Sequence, residues 1–397
     1  MIENKGSQNR YFCDLHVHVG RAGNNQPVKI TASKDLTLQA ILEEAAHRKG
    51  IDIIGVIDGS SPAVQEDLQV LLQQGDLYEL AGGGLRYKDR TTLFLGAEVE
   101  TAGPAGGAAH FGIWMPSLPV MKEFSRFLKT QVSNVLLSSQ RARCQAYELQ
   151  QMAQELGGWF IVNHAFTPHK GMYGNCVTAM AEMVDPALVT AIELGLSADT
   201  QMADRIQELH ELPFVSNSDA HSTAKIAREY NVVELQEPTF DDLTKALQNQ
   251  EGRKIIANYG LHPLLGKYHR TSCYACGFIP SEFRSAAIAC DKCGSANMIQ
   301  GVADRLEMIA DLSQSRSPEF RPPYFYQIPL EYIPKVGKKT LEKLLDAFGT
   351  EMSVIHQASF EELAAVIGTQ VAQRIVDARM GQVDIQTGGA GVYGKVL

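Results

Sequence analysis

Short apolar runs recur along the first two thirds of the chain, and each gives way to a polar or ionisable residue. The runs at 11–17, 51–57, 92–95, 111–114, 159–162, 191–194 and 212–215 predict strands. Between them, 36–49, 68–80 and 120–156 carry apolar residues at helical spacing. In the first of these Leu38, Ile41, Leu42, Ala45 and Ala46 share a face and Gly50 ends it. Such alternation predicts an α/β domain. Residues 1–10 are polar and predict a disordered lead-in, and Gly82-Gly83-Gly84 predicts a turn.

The chemistry sits where the runs end. In Asp14-Leu15-His16-Val17-His18 the alternation of a strand puts His16 and His18 on one face, two imidazoles able to grip one cation. Partners arrive at intervals: Asp58, Glu98, His110, His164, and Asp219 and His221 in Ser218-Asp219-Ala220-His221. This pattern predicts a barrel whose strand ends converge on a metal cluster. Imidazole and carboxylate ligands suit Zn²⁺, Mn²⁺ and Fe²⁺, and a bridging carboxylate can hold two cations that activate water for phosphodiester hydrolysis. Glu193, at another strand tip, is open to three readings: support for a ligand, contact with substrate, or a place on the barrel rim. The loop after His164 offers Lys170, Gly171 and Tyr173 to a substrate, or is an ordinary long connection.

Cys273, Cys276, Cys290 and Cys293 form a C-x2-C-x13-C-x2-C pattern, each pair followed by glycine, which predicts one structural Zn²⁺ held by four thiolates. A redox role would need only one pair. Lys267, His269, Arg270 and Arg284 around this module face either phosphate or solvent. With 397 residues and 45% hydrophobic content the chain predicts two or three domains. A net charge of −9 gives no global sign of a nucleic-acid binder, although a basic groove can hide in an acidic total. Neither a leader nor a membrane-length apolar run is visible. Seven cysteines without a disulfide framework suit a reducing compartment, so a soluble, cytoplasmic protein with no membrane partner is expected. Residues 313–323 predict a linker and Gly388 to Leu397 a flexible end.

The order His16-x-His18, Asp58, Glu98, His110, His164, Asp219-x-His221 resembles the PHP superfamily, named for polymerase and histidinol phosphatase. The resemblance implies a distorted (β/α)7 barrel binding two or three metal ions, Zn, Mg or Mn, and hydrolysing phosphoesters. It also implies that His16, His18, Glu98 and Asp219 form one metal position and that Glu98 bridges to a second with His110 and His164. Asp58 and His221 would serve a third. The chain departs from the family at Gly59, where a histidine is usual. Near the end, Ile333-Pro334-Lys335-Val336-Gly337-Lys338-Lys339 and a second unit around Gly368 resemble tandem helix-hairpin-helix motifs, which bind the DNA backbone. There Gly337 exposes backbone N–H groups while Lys335, Lys338 and Lys339 neutralise phosphate, and a hairpin used only for packing is the alternative.

Together these parts resemble the endonuclease Q family: a PHP barrel over 1–262, a four-cysteine zinc module over 263–312, and a linker with a helical DNA-binding domain over 313–397. The resemblance implies a DNA repair enzyme that cuts 5′ to uracil, hypoxanthine, xanthine or an abasic site. The expected partner is duplex DNA with the lesion nucleotide turned out, or single-stranded DNA, with a sliding clamp as a further candidate. The catalytic set would be His16, His18, Glu98 and Asp219. Two rival readings are a small-molecule phosphatase of the histidinol phosphate type and a DNA-binding scaffold with an inactive barrel.

Overall fold

The computed structural model describes residues 9–281 and 289–397. Arg284 and the first eight residues lie outside the described residues. In chain order the strands are β1 (Asn9–Val17), β2 (Ile53–Val56), β3 (Leu77–Glu79), β4 (Leu85–Tyr87), β5 (Thr91–Ala102), β6 (Ala108–Met115), β7 (Trp159–Val162), β8 (Ala191–Glu193), β9 (Phe214–Val215), β10 (Tyr230–Leu235), β11 (Lys254–Leu261), β12 (Ser272–Cys273), β13 (Met298–Ile299) and β14 (Tyr324–Gln327). Ten of them form one curled half-barrel sheet in the order β14-β11-β10-β1-β2-β5-β6-β7-β8-β9, with β4 paired to β5 and β3 to β4. The sheet is mixed: β1, β2 and β5 run parallel, β5, β6 and β7 antiparallel, and β7, β8 and β9 parallel again.

Strand alternation divides the interior. Trp159 and Ile161 join one buried cluster, Phe160 and Val162 the other. The sheet closes on itself through Asp14, whose buried carboxylate accepts from Ser218 N (3.0 Å) and Ala227 N (2.9 Å) and so fastens the segment after β9 to β1. His18 N and Ala220 N complete the join by bonding to Ala220 O and His16 O.

Two helical expectations change in the structure. The tract 120–156 is two helices, Leu118–Gln131 and Ala146–Glu155, because Asn134, Ser138 and Ser139 favour turns over helix interior. The helix placed at 68–80 runs instead from Pro62 to Gln74, where Gly75 takes up a left-handed φ of 78° and frees 77–79 to become a strand. The stretch 313–323 is anchored rather than loose: the Arg321 guanidinium is buried, pairs with Asp204 at 3.0 Å and stacks 3.4 Å over the Phe214 ring. It leads directly into β14, which extends the barrel sheet alongside β11. The C-terminal helices Lys338–Phe348, Glu351–His356, Phe360–Ile367 and Thr369–Arg379 enclose their own core around Leu344, Leu363 and Ile375. They dock on the barrel through Arg48–Glu342 and the buried pair Lys49–Glu351, both 2.8 Å. Among the described residues no helix is long and apolar enough to cross a membrane.

Candidate metal centre and active-site cavity

His16 lies near the end of β1 and His18 just beyond it, their rings 5.2 Å apart and fully buried. The Nε2 atoms of both are buried and make no hydrogen bond. Asp219 Oδ1 lies 3.5 Å from each of them, and the two carboxylate oxygens of Glu98 lie 3.4 and 3.6 Å away. Buried nitrogens left unpaired at these separations from carboxylates suit a cation held between them. Two groups result: the ligand atoms of His16, His18 and Asp219 lie within 4.8 Å of one another, and so do those of Glu98, His110 and His164.

Glu98 joins the groups. From the middle of β5 its Oε1 faces His110 Nδ1 at 3.0 Å and His164 Nε2 at 3.4 Å, while Oε2 accepts from Lys29 Nζ at 3.0 Å and from the Ser139 hydroxyl. Burial alone would raise this carboxyl; the charges and hydrogen bonds of His110, Lys29 and His16 outweigh it and hold Glu98 well below the carboxylate range. The same carboxylates, led by Glu98, hold the Lys29 ammonium above its ordinary range against burial. His164 and Asp219 both occupy left-handed backbone, φ 30° and 44°, a strain of roughly 1–3 kcal/mol each that clusters at functional positions.

Behind the ligands stands a ring of carboxylates. Glu193, at the end of β8, receives His16 Nδ1 at 3.0 Å, the His164 amide at 3.1 Å and Asn217 Nδ2 at 2.8 Å, and so supports ligands from both groups. Asp58 plays that part for His18: its oxygens lie 3.2 Å from His18 Nδ1 and accept from Val19 N at 2.6 Å. Asp58 and His221 fall outside both ligand groups. His221 tilts against His18 at 4.7 Å, its Nδ1 bound to the Asp219 carbonyl at 3.1 Å. A Cβ on Gly59 would lie 3.2 Å from Gly96 O and from Leu95 Cβ, so a larger residue has little room there.

A cavity of about 710 Å³ opens over Glu98, His110, His164 and Asp219. Lys170 lines it and pairs with Glu100. Tyr173, expected beside it, turns away: it is fully buried, stacks on Phe166 and donates its hydroxyl to Glu208 at 2.8 Å. Gly171 is buried as well, in a turn where a Cβ would meet the Thr167 and Ala165 backbone at 2.5–2.6 Å. Sequence reasoning missed Lys29 and Ser139 beside Glu98, Asn163, which donates to Glu98 Oε1 at 3.3 Å, Ser138, whose hydroxyl lies 3.4 Å from His18 Nδ1, and the cavity-lining Arg228 and Tyr393. Of these only the Ser138-Ser139 pair, poor helix interior, gave a signal.

The four cysteines converge separately. Cys273 Sγ and Cys293 Sγ are 3.6 Å apart, as are those of Cys276 and Cys290. Thiolates about 2.3 Å from a tetrahedral Zn²⁺ would be separated by roughly this much. Gly277 and Gly294 take φ 69° and 70°, and their amides bond back to Cys273 O and Cys290 O, which closes each knuckle. In the C-terminal domain Lys335, Gly337, Lys338 and Lys339 are exposed at the start of Lys338–Phe348, and Lys335 occupies left-handed backbone, φ 73°. That hairpin follows Leu330–Tyr332, where Glu331 and Tyr332 bond the cavity-lining Lys225.

Comparison with known proteins agrees with this geometry. A PHP-associated family model matches residues 199–251. The chain is 47% identical to the uncharacterised protein YqxK of Bacillus subtilis over 98% of its own length and 99% of that protein. It is 40% identical to the uncharacterised protein MJ0043 of Methanocaldococcus jannaschii over 52% of this chain and 28% of that one. Among solved structures, the lesion-specific endonuclease PfuEndoQ from Pyrococcus furiosus superposes with a TM-score of 0.84 and 31% identity, covering 98% of this chain and 95% of that one. An endonuclease Q complex with a 27-mer duplex bearing an abasic lesion at the active site matches with the same TM-score and identity, covering 96% of that chain. The chain therefore belongs to the endonuclease Q family and is a metal-dependent hydrolase built on a PHP barrel.

Proposed function

We propose that this protein is a DNA repair endonuclease that hydrolyses the phosphodiester bond 5′ to uracil, hypoxanthine, xanthine or an abasic nucleotide. What supports this most is the end-to-end likeness to an enzyme solved with a lesion-bearing duplex at its active site, joined to two ligand groups, of which the second contributes Glu98 3.4 and 3.6 Å from the His16 and His18 Nε2 atoms of the first. His16, His18 and Asp219 would hold one divalent cation, and His110 and His164 a second, with Glu98 common to both. Bound there, Zn, Mg or Mn supplies Lewis acidity that activates a water and steadies the leaving oxygen.

The protein's own residues do the rest. Glu193 and Asp58 accept from the Nδ1–H groups of His16 and His18, which leaves each Nε2 lone pair directed inward. Lys29 and Ser139 fix Oε2 of Glu98, the oxygen that faces His18. The turned-out nucleotide enters the cavity at a cost of roughly a few kcal/mol, lowest for a weakly paired lesion. Lys335, Gly337, Lys338 and Lys339 hold the duplex backbone, Lys170 faces the strand at the cavity rim, and the four cysteines carry a structural zinc. A sliding-clamp partner finds no support in the comparisons and is not part of the proposal.

The test is a labelled duplex with a single uracil, hypoxanthine, abasic site or normal base, incubated with the protein and Mg²⁺ or Mn²⁺. A nick 5′ to the lesion is expected, with Asp219→Ala losing more than about a thousandfold in rate while still binding DNA. Equal cutting of the undamaged duplex, or normal cutting by Asp219→Ala, would refute the reading.

A further inference from the structure

We propose that Arg228, Lys267 and Tyr393 form a subsite for a second phosphate of the cut strand, next to the one held over the metal ligands, and that the C-terminal hairpin builds it. The inference rests on the endonuclease reading and adds residues that reading does not use.

The first observation is a charge imbalance in the cavity. On the His110 side Lys170 and Arg141 both pair with Glu100, Lys29 pairs with Glu98, and at the rim Lys225 pairs with Glu331. On the Asp219 side the pattern breaks. Arg228 is only 6% exposed, yet its guanidinium meets neutral acceptors alone: Nε donates to Ser218 O at 2.7 Å, Nη2 to Asp219 O at 3.2 Å and Nη1 to the Tyr393 hydroxyl at 2.8 Å. Lys267 is half-buried with its ammonium 4.5 Å over the Tyr393 ring. Among the described residues neither cation has a carboxylate partner. All three side chains line the same cavity as Asp219 and His221. The Asp219 carboxylate acts on both cations only from beyond ion-pair distance, and a buried guanidinium beside a half-buried ammonium is costly unless a nearer anion completes them.

The donors define which anion. Each terminal nitrogen of Arg228 keeps one N–H unused, the Tyr393 hydroxyl accepts from Arg228 and so has its own proton to give, and Lys267 has its ammonium donors free. A phosphodiester, with one negative charge and two acceptor oxygens, matches this set. Base stacking is the poorer match, because Lys267 already covers one face of the ring.

The second observation is how Tyr393 comes to be there. Residues 388–397, expected to be flexible, fold as a hairpin in which Ile385–Gln386 pairs with Lys395–Val396. Gly388 N, Gly391 N and Gly394 N bond to Leu264 O, Lys267 O and Leu265 O at 2.7, 3.3 and 3.0 Å. A Cβ on Gly388 would fall 2.5 Å from Gly394 N and 2.7 Å from Gly266 O. The glycines thus permit a close backbone approach, and that approach delivers Tyr393 and fixes the stretch bearing Lys267.

The experiment uses the full chain and a uracil-containing duplex in which one neutral methylphosphonate is moved stepwise through the phosphates flanking the lesion. Affinity is read by fluorescence anisotropy and cleavage in parallel. One flanking position should cost the native protein about tenfold in affinity, as expected for a lost charge-assisted contact. In Lys267→Gln and in Tyr393→Phe that penalty should shrink to under about threefold while the others persist, and Lys267→Gln should lower the slope of log affinity against log salt by about 1. Variants with the native penalty profile and salt slope would overturn the subsite and leave the endonuclease reading standing. A native protein that binds the duplex but never cuts would bring down that reading, with the affinity profile still deciding the subsite, and one that binds no duplex would overturn both.

Discussion

The barrel centre and the four-cysteine module are both arranged to take metal, and they are built in opposite ways. The barrel ligands span His16 to Asp219, and three of the donors are set by something other than a cation: Glu193 behind His16, Asp58 behind His18, Lys29 and Ser139 against Glu98. The cysteine ligands fall within 273–293, and among the described residues they sit on two glycine turns and a pair of two-residue strands, β12 and β13. Cys276 and Cys293 are exposed, whereas His16 and His18 are fully buried. In the barrel the scaffold comes before the metal, and in the module the metal supplies the scaffold.

The largest effect expected from that contrast is on metal removal. Zinc binding to small modules is worth roughly 10–16 kcal/mol, most of their folding free energy. Cys276→Ser should therefore remove one zinc per chain and abolish amide-exchange protection around β12 and β13. The barrel strands should stay protected, with a melting temperature within about 2 °C of native. Loss of protection in β1, β5 and β7 together with the module would erase the distinction.

The same contrast explains what the sequence disclosed. Trp159–Val162 matched its predicted run because a buried strand needs an apolar side chain at every position. The cysteine pattern was legible because all its ligands and both turn glycines are local. The two ligand groups in the barrel could be listed from strand tips, but the pairing of Glu193 with His16 and Asp58 with His18 depends on how β1, β2 and β8 are placed, which no local signal encodes. Lys29 sits in an ordinary polar stretch and acquires its partner from β5 only through the tertiary fold. Tyr173 misled for the complementary reason: an aromatic in a loop can serve substrate or core, and here Glu208 captures its hydroxyl. The glycines of 388–397 signalled freedom and delivered close packing.

A barrel with a large buried core can also carry an electrostatic load that the module could not. Glu229 is fully buried between β9 and β10; one oxygen accepts from Leu261 N at 2.7 Å and the other has no partner. Burial pushes this carboxyl from 4.5 up to about 8. A folded-state value above the unfolded one means that folding takes up a proton between the two. Its contribution is therefore intact below about 4.5, declines as pH rises, and is fully lost above about 8, at a cost on the order of a few kcal/mol. Asp52, raised by burial to about 6, acts lower in the range, whereas His16 and His110, held above 6.5 by neighbouring carboxylates against burial, also lose stabilisation as pH rises from 6.5, so Glu229 is read as the difference between native and variant. From pH 6.5 to 9 the native melting temperature should fall more steeply than that of Glu229→Gln, which should melt higher at pH 9. Parallel curves would show that the site is relieved by water or by rearrangement.

The smallest and sharpest test concerns Glu193, because it asks whether the barrel centre is preorganised or merely crowded. Its carboxylate holds His16 Nδ1, the His164 amide and Asn217 at once, so it reaches into both ligand groups without belonging to either. Glu193→Gln keeps the shape and one acceptor oxygen but removes the charge that makes the imidazole a stronger donor. Outer partners of this kind are worth about 10–100-fold in metal affinity, so the variant should need that much more Mn²⁺ for half-maximal cleavage and recover most of its rate at saturation. The zinc count of the cysteine module should not change. A variant that loses rate at every Mn²⁺ concentration would place Glu193 in contact with substrate, on the cavity wall it also lines, and the support of His16 would then pass to the remaining strand geometry.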